Sequence, residues 1–136
     1  MHFTTEHPCR VARCATFLTM TFCVAACALA SGQDKKCLNV VNGIAREYGQ
    51  LTSNEPEKDY CVDAHAGQMM KVTIVPQTSD LVSKGIVIFP ISHQVDGGPG
   101  GVIFNDKLPE DGQYEIVVGG RNQITSGAFE LIVELK

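Results

Sequence analysis

Tryptophan is absent from this sequence, and phenylalanine and tyrosine together number only nine. Sugar-binding faces are commonly built on exposed aromatic rings, so this scarcity argues against a carbohydrate platform. Basic residues are also in short supply. Eleven Lys and Arg face fifteen Asp and Glu, a formal charge of −4, which excludes a partner held through its phosphates by counterion release. Beyond residue 30 the only arginines are Arg46 and Arg121, and the only histidines are His65 and His93. Those histidines lack the i, i+2 or i, i+4 partners of a zinc site, and Ser92-His93 adjacency says nothing about a catalytic triad. Six cysteines look plentiful, but Cys9, Cys14, Cys23 and Cys27 all lie near the N-terminus. A disulfide-dense miniprotein, a membrane bundle and a histone-like binder are therefore excluded. At 136 residues the chain has room for one domain.

What is present begins with an export signal. Arg10 and Arg13 precede an uncharged, mostly apolar stretch over 14–29, too short to span a bilayer comfortably. Ala28-Leu29-Ala30 offers the small-x-small pattern of signal peptidase, with cleavage before Ser31. Val24-Ala25-Ala26-Cys27 also fits a bacterial lipobox, in which Cys27 would carry the lipid. Residues 1–30 are thus a signal peptide, and both alternatives send the protein out of the cytosol. It is expected to be periplasmic or secreted, or else lipid-anchored in the envelope. Cys37 and Cys61 are then the remaining thiols in an oxidising compartment, and a disulfide between them is expected.

Beyond residue 43 apolar residues recur with period two. Tyr60, Val62 and Ala64 share one face, with Cys61, Asp63 and His65 on the other. Met70, Val72 and Ile74 alternate with Met69, Lys71 and Thr73, and Phe129, Leu131, Val133 and Leu135 alternate with Glu130, Ile132 and Glu134. This is the pattern of half-buried antiparallel strands. The run 85–89 (GIVIF) suits a central strand covered on both faces. Further strands are expected at 37–41, 46–51, 102–105 and 114–118. Ala66-Gly67, Pro90, Asp111-Gly112 and Gly119-Gly120 supply turns, and 97–101 (GGPGG) reads as a flexible hairpin loop. No segment sustains a helical i, i+3, i+4, i+7 pattern. The expected fold is all-β: a two-sheet antiparallel sandwich of jelly-roll type with seven or eight short strands. Residues 31–43 form an N-terminal segment with the first strand, and 44–136 form the sandwich.

Three stretches carry a family resemblance. Asp59-Tyr60-x-Val62-x-Ala64-x-Ala66-Gly67-Gln68 followed by Met70-x-Val72-x-Ile74 resembles the bacterial pre-peptidase C-terminal domain. Leu108-Pro109-Glu110-Asp111-Gly112-Gln113-Tyr114 entering 115–118 looks like its Leu-Pro-x-x-Gly-x-Tyr turn, and Gly127-Ala128-Phe129-Glu130-Leu131-x-Val133 is similar to its final strand. The register is kept over 44–136. The chain departs at Ser79-Asp80-Leu81, a partial match to an Asp-x-Asp-Leu pattern. Some relatives bind calcium near the acidic series Glu55, Glu57 and Asp59. In this chain that series reads as a weak Ca²⁺ candidate or as a solvated polar turn.

A subgroup with this sandwich, the periplasmic inhibitors of g-type lysozyme, is similar around Leu108-Pro109, Gly112-x-Tyr114-Glu115 and Arg121-Asn122. It has a further basic residue where this chain has Ile124-Thr125-Ser126. The resemblance implies a non-catalytic protein without cofactor that blocks a secreted glycosidase by loop insertion. Tyr114, Arg121 and Asn122 would lie near that contact. An Arg at a hairpin tip can grip a carboxylate bidentately, or simply keep the loop soluble. The alternative is an accessory module binding polysaccharide or protein.

Overall fold

The computed structural model describes residues 34–79, 81, 83–120 and 126–136. Among the described residues there are nine strands and no helix. In chain order they are β1 (Lys36–Cys37), β2 (Ile44–Leu51), β3 (Glu57–Ala64), β4 (Met69–Pro76) and β5 (Ser83–Ile88). Then come β6 (Val95–Pro99), β7 (Gly101–Lys107), β8 (Gly112–Gly120) and β9 (Gly127–Leu135). One sheet has the order β1-β3-β8-β5-β6 and the other β2-β9-β4-β7. All pairings are antiparallel except β1 with β3. The fold is the expected two-sheet sandwich.

Period-two alternation gives the longer strands one apolar face, and the apolar faces of the two sheets bury each other. Tyr60, Val62 and Ala64 of β3, Met70, Val72 and Ile74 of β4, and Phe129, Leu131 and Val133 of β9 all lie in this core. Tyr60 meets Phe129 edge-on with ring centroids 6.3 Å apart, and Phe89 bridges Phe104 and Tyr114 at 6.0 and 5.6 Å. Gly67 and Gly112 take positive φ, +92° and +137°, where the chain reverses.

Three expectations change. The first strand is Lys36–Cys37 alone rather than 37–41; Leu38 and Val40 leave it to pack against the core, and Asn42 and Gly43 reverse the chain with φ of 53° and 79°. The glycine-rich 97–101 stretch is not a free loop, since Val95–Pro99 pairs with β5 and raises the strand count to nine. Gly97 lies so close to the Gly85 carbonyl that a Cβ there would overlap it, which explains glycine in a strand. Finally, β5 is interior to its sheet but is not covered on both faces. Val87 is buried while Ile86 and Ile88 remain half-buried on the outer side.

Cys37 and Cys61 stand opposite each other in the parallel β1–β3 ladder, with Cα atoms 4.3 Å apart, and are joined by the expected disulfide. The bond explains why Cys61 is fully buried on the outer side of β3. Lys35 pairs with Glu115 of β8 and Lys36 with Glu47 of β2, the latter at 2.6 Å.

Candidate functional site

The β8–β9 connection holds Arg121 and Asn122, and residues 121–125 lie outside the described residues. Its two roots are described. Gly119 pairs with Glu57, Gly120 with Ser83, and Gly127 with Leu51. The connection therefore leaves the end of the sandwich that also carries the β2–β3 turn and the start of β5.

That end is held by short polar clamps. In the β2–β3 turn the Thr52 N–H donates to the Glu55 carbonyl at 3.0 Å, and the Glu55 N–H donates back to Thr52 Oγ1 at 3.0 Å. On the other side Ala128 N–H donates to Thr78 Oγ1 at 2.9 Å, and Gln77 N–H to the Ala128 carbonyl at 2.8 Å. Loops that present binding groups are most effective on such a rigid mount, because little ordering entropy remains to be lost on binding.

Beside this end, β2 is an edge strand with Ala45 and Leu51 turned inward. Alternation therefore turns Arg46, Tyr48 and Gln50 out. Tyr48 is 69% exposed, the largest free aromatic surface among the described residues. Its neighbour on β9 is Glu130, only 8% exposed, whose carboxylate accepts from Arg46 Nη1 at 2.9 Å. Tyr48 also borders a groove of about 380 Å³ between β2 and β3, together with Glu47, Gly49, Lys58, Asp59 and Tyr60. Burial, with Glu47 adding to it, pushes the Tyr60 hydroxyl up to about 12. Burial first, then the charges of Glu115 and Glu57, raises the Asp59 carboxyl above its usual value, with Lys35 opposing. Tyr48 is the functional candidate that the sequence reading passed over. The β2 alternation was the available signal, since it assigns Tyr48 outward once Ala45 and Leu51 point in.

Tyr114 sits at the opposite end of β8 from the Arg121 connection. Its ring is fully buried, and its hydroxyl donates to the Glu110 carbonyl at 2.8 Å and accepts from the Glu110 N–H at 3.2 Å. All of its described contacts are internal. The Glu110 carboxylate in turn accepts from the N–H groups of Ile91 at 2.8 Å and Ser92 at 3.2 Å. Those bonds, with the Ser92 side chain foremost, hold Glu110 below the ordinary carboxylate range.

The acidic series does not come together as a cation site. The Glu55 carboxylate is paired with Lys58, and among the described residues no three His, Cys, Asp or Glu side chains converge as metal ligands would. His65 Nδ1 faces Asp111 at 3.5 Å in open solvent, and His93 is an exposed turn residue with φ of 54°.

This strand arrangement is a β-sandwich fold also found in a pre-peptidase C-terminal domain and in inhibitors of g-type lysozyme. The chain is similar to the pre-peptidase C-terminal domain of Bacillus anthracis collagenase, with a TM-score of 0.51 and 16% identity over 75% of this chain and 92% of that one. It is also similar to the periplasmic inhibitor of g-type lysozyme, PliG, from Aeromonas hydrophila, with a TM-score of 0.60 and 22% identity over 75% of this chain and 96% of that one. PliG from Salmonella Typhimurium gives 0.59 and 16%, over 75% and 97%. At these identities the likeness is one of fold. No protein-family model matches the sequence, and no curated protein matches it.

Proposed function

We propose that this chain is an exported, non-catalytic inhibitor of g-type lysozyme that acts by obstructing the enzyme's peptidoglycan cleft. The observation that carries the reading is the fold match to PliG, which spans nearly the whole of that inhibitor and has a higher TM-score than the match to the collagenase domain. The export signal over residues 1–30 and the Arg121-Asn122 pair in the β8–β9 connection support it. A glycosidase cleft presents carboxylates, and most of this acidic chain would be repelled by them. Arg121 is the group suited to grip such a carboxylate, with Asn122 beside it and Tyr48 on the adjoining outer face. Tyr114 supports the far end of the same strand from inside the core.

The test is lysis of a peptidoglycan suspension by g-type lysozyme, titrated with purified protein. Inhibition by the wild type is expected. Arg121→Ala should weaken it by roughly 2–4 kcal/mol, the range of an interface hot spot. Equal inhibition by wild type and Arg121→Ala would remove Arg121 from the contact. No inhibition by either would leave the accessory-module reading, which the likeness to the collagenase domain favours.

A further inference from the structure

The two sheets are joined at Gly100, where β6 ends and β7 begins, and from that corner the two strands diverge. Each is the last strand of its sheet. The gap between them is an open groove of about 530 Å³, bordered by Phe89, Phe104, Pro109, Asp96 and Asp106. It belongs to the end of the sandwich opposite the Arg121 connection.

The walls are chemically matched. Asp96 pairs with Val87 and Asp106 with Met70, both core residues, so the two carboxylates stand on the inner sides of their strands, facing the gap. Each uses Oδ1 to accept the next backbone N–H, at 2.7 Å from Gly97 and 2.7 Å from Lys107. Neither forms an ion pair among the described residues. Lys107 also borders the groove, but its stem runs past Gly67, with Cε 4.0 Å from the point a Cβ would occupy there. The floor is the perpendicular pair Phe89–Phe104.

We propose that this groove binds an extended polypeptide segment through one lysine or arginine side chain. The aliphatic stem lies along the Phe89–Phe104 floor, as long cationic side chains do on apolar surface, and the charged head sits between Asp96 and Asp106. The free edge of β7, seven residues long, supplies backbone groups to which the segment adds as a further strand. Charge complementarity selects the occupant: two unpaired carboxylates over aromatic rings favour a cation with an apolar stem and reject an acidic one.

The alternative role for such residues is protective, since inward-pointing charges on edge strands also prevent edge-to-edge aggregation. The experiment separates the two. An acetylated, amidated pentapeptide Thr-Val-Lys-Val-Thr is titrated into the 15N-labelled, disulfide-bonded protein, beside a twin with Glu for Lys. The lysine peptide should shift the amides of Gly97, Gly98, Asp106 and Lys107, and the Glu twin should not. Asp96→Asn and Asp106→Asn keep the oxygen that accepts the neighbouring N–H. Each should therefore leave the melting curve unchanged while weakening the lysine peptide about tenfold. Absence of shifts, equal response to both peptides, or unchanged affinity in both variants would overturn the proposal. So would variants that self-associate while binding the lysine peptide as before, which would assign the carboxylates to edge protection alone.

Discussion

Replacing Tyr114 by phenylalanine removes one oxygen from the interior and nothing else. That oxygen serves both backbone groups of Glu110, donating to the carbonyl at 2.8 Å and accepting from the N–H at 3.2 Å. Without it both groups lose their partner in a half-buried turn. A hydrogen bond contributes about 1 kcal/mol net, and an orphaned backbone group costs about 1–3 kcal/mol where water does not reach it. Partial exposure puts Tyr114→Phe near 2 kcal/mol. For a domain of ~100 residues that corresponds to a fall in Tm of roughly 8 °C. Tyr60→Phe is the matched control, since it makes the same chemical change on another core ring. Tyr60 borders the β2–β3 groove, and among the described residues its hydroxyl holds no backbone pair as that of Tyr114 does, so its loss should cost about 1 kcal/mol or less. The assay is thermal unfolding followed by far-ultraviolet circular dichroism on both variants. Equal shifts, or no shift in Tyr114→Phe, would refute the reasoning that the Leu-Pro-x-x-Gly-x-Tyr turn is pinned by this one hydroxyl.

Replacing Cys37 and Cys61 by serine should cost about 3 kcal/mol on the chain-entropy account of their 24-residue separation, read as a drop in the denaturant midpoint; intact mass without reduction should show the two hydrogens missing in the wild type. Gly49→Ala should destabilise by about 2–3 kcal/mol, because the new methyl would overlap the buried Phe129 ring and lie 2.6 Å from the Tyr60 hydroxyl. A melting temperature equal to wild type would show that Phe129 moves aside. Glu110→Gln should lower Tm at neutral pH and do so less as the solution is acidified. The folded carboxyl titrates below 4.5, so its stabilisation is present above that value and is lost as pH falls through the depressed folded pKa. A Tm difference independent of pH between 3 and 7 would contradict this.

The long alternating strands were legible because burial of one face leaves a two-residue rhythm. Phe129 to Leu135 and Met70 to Ile74 could have no other register without turning their apolar side to water. What escaped the reading had non-local causes. β6 is built from Val95-Asp96-Gly97-Gly98-Pro99, in which only Val95 favours a strand, and its pairing with β5 brings Gly97 closer to the Gly85 carbonyl than any side chain would allow. β1 is two residues long because only Lys36 and Cys37 join the parallel ladder to β3, a pairing that local pattern does not show, whereas the disulfide at its end was expected from the cysteine positions. At the candidate site the sequence supplied Arg121 and Asn122 as chemistry, while Tyr48 required knowing which face of β2 was open. Tyr114 illustrates the limit of a motif: the resemblance places it near the contact, while its ring is fully buried and its hydroxyl is bound to the Glu110 backbone.

The bond between Cys37 and Cys61 also governs how the molecule carries a mechanical load. Tension applied ahead of Cys37 passes across the disulfide into the middle of β3 and does not follow the backbone through the next turn. Residues 38–60, with all of β2, are left slack. The pull arrives at Cys61, inside a strand that pairs with β8 at eight successive positions, so it meets a ladder rather than a single rung. Reduction would reroute the same tension through Leu38 and the Asn42-Gly43 turn into β2, an edge strand that could then be peeled from β9.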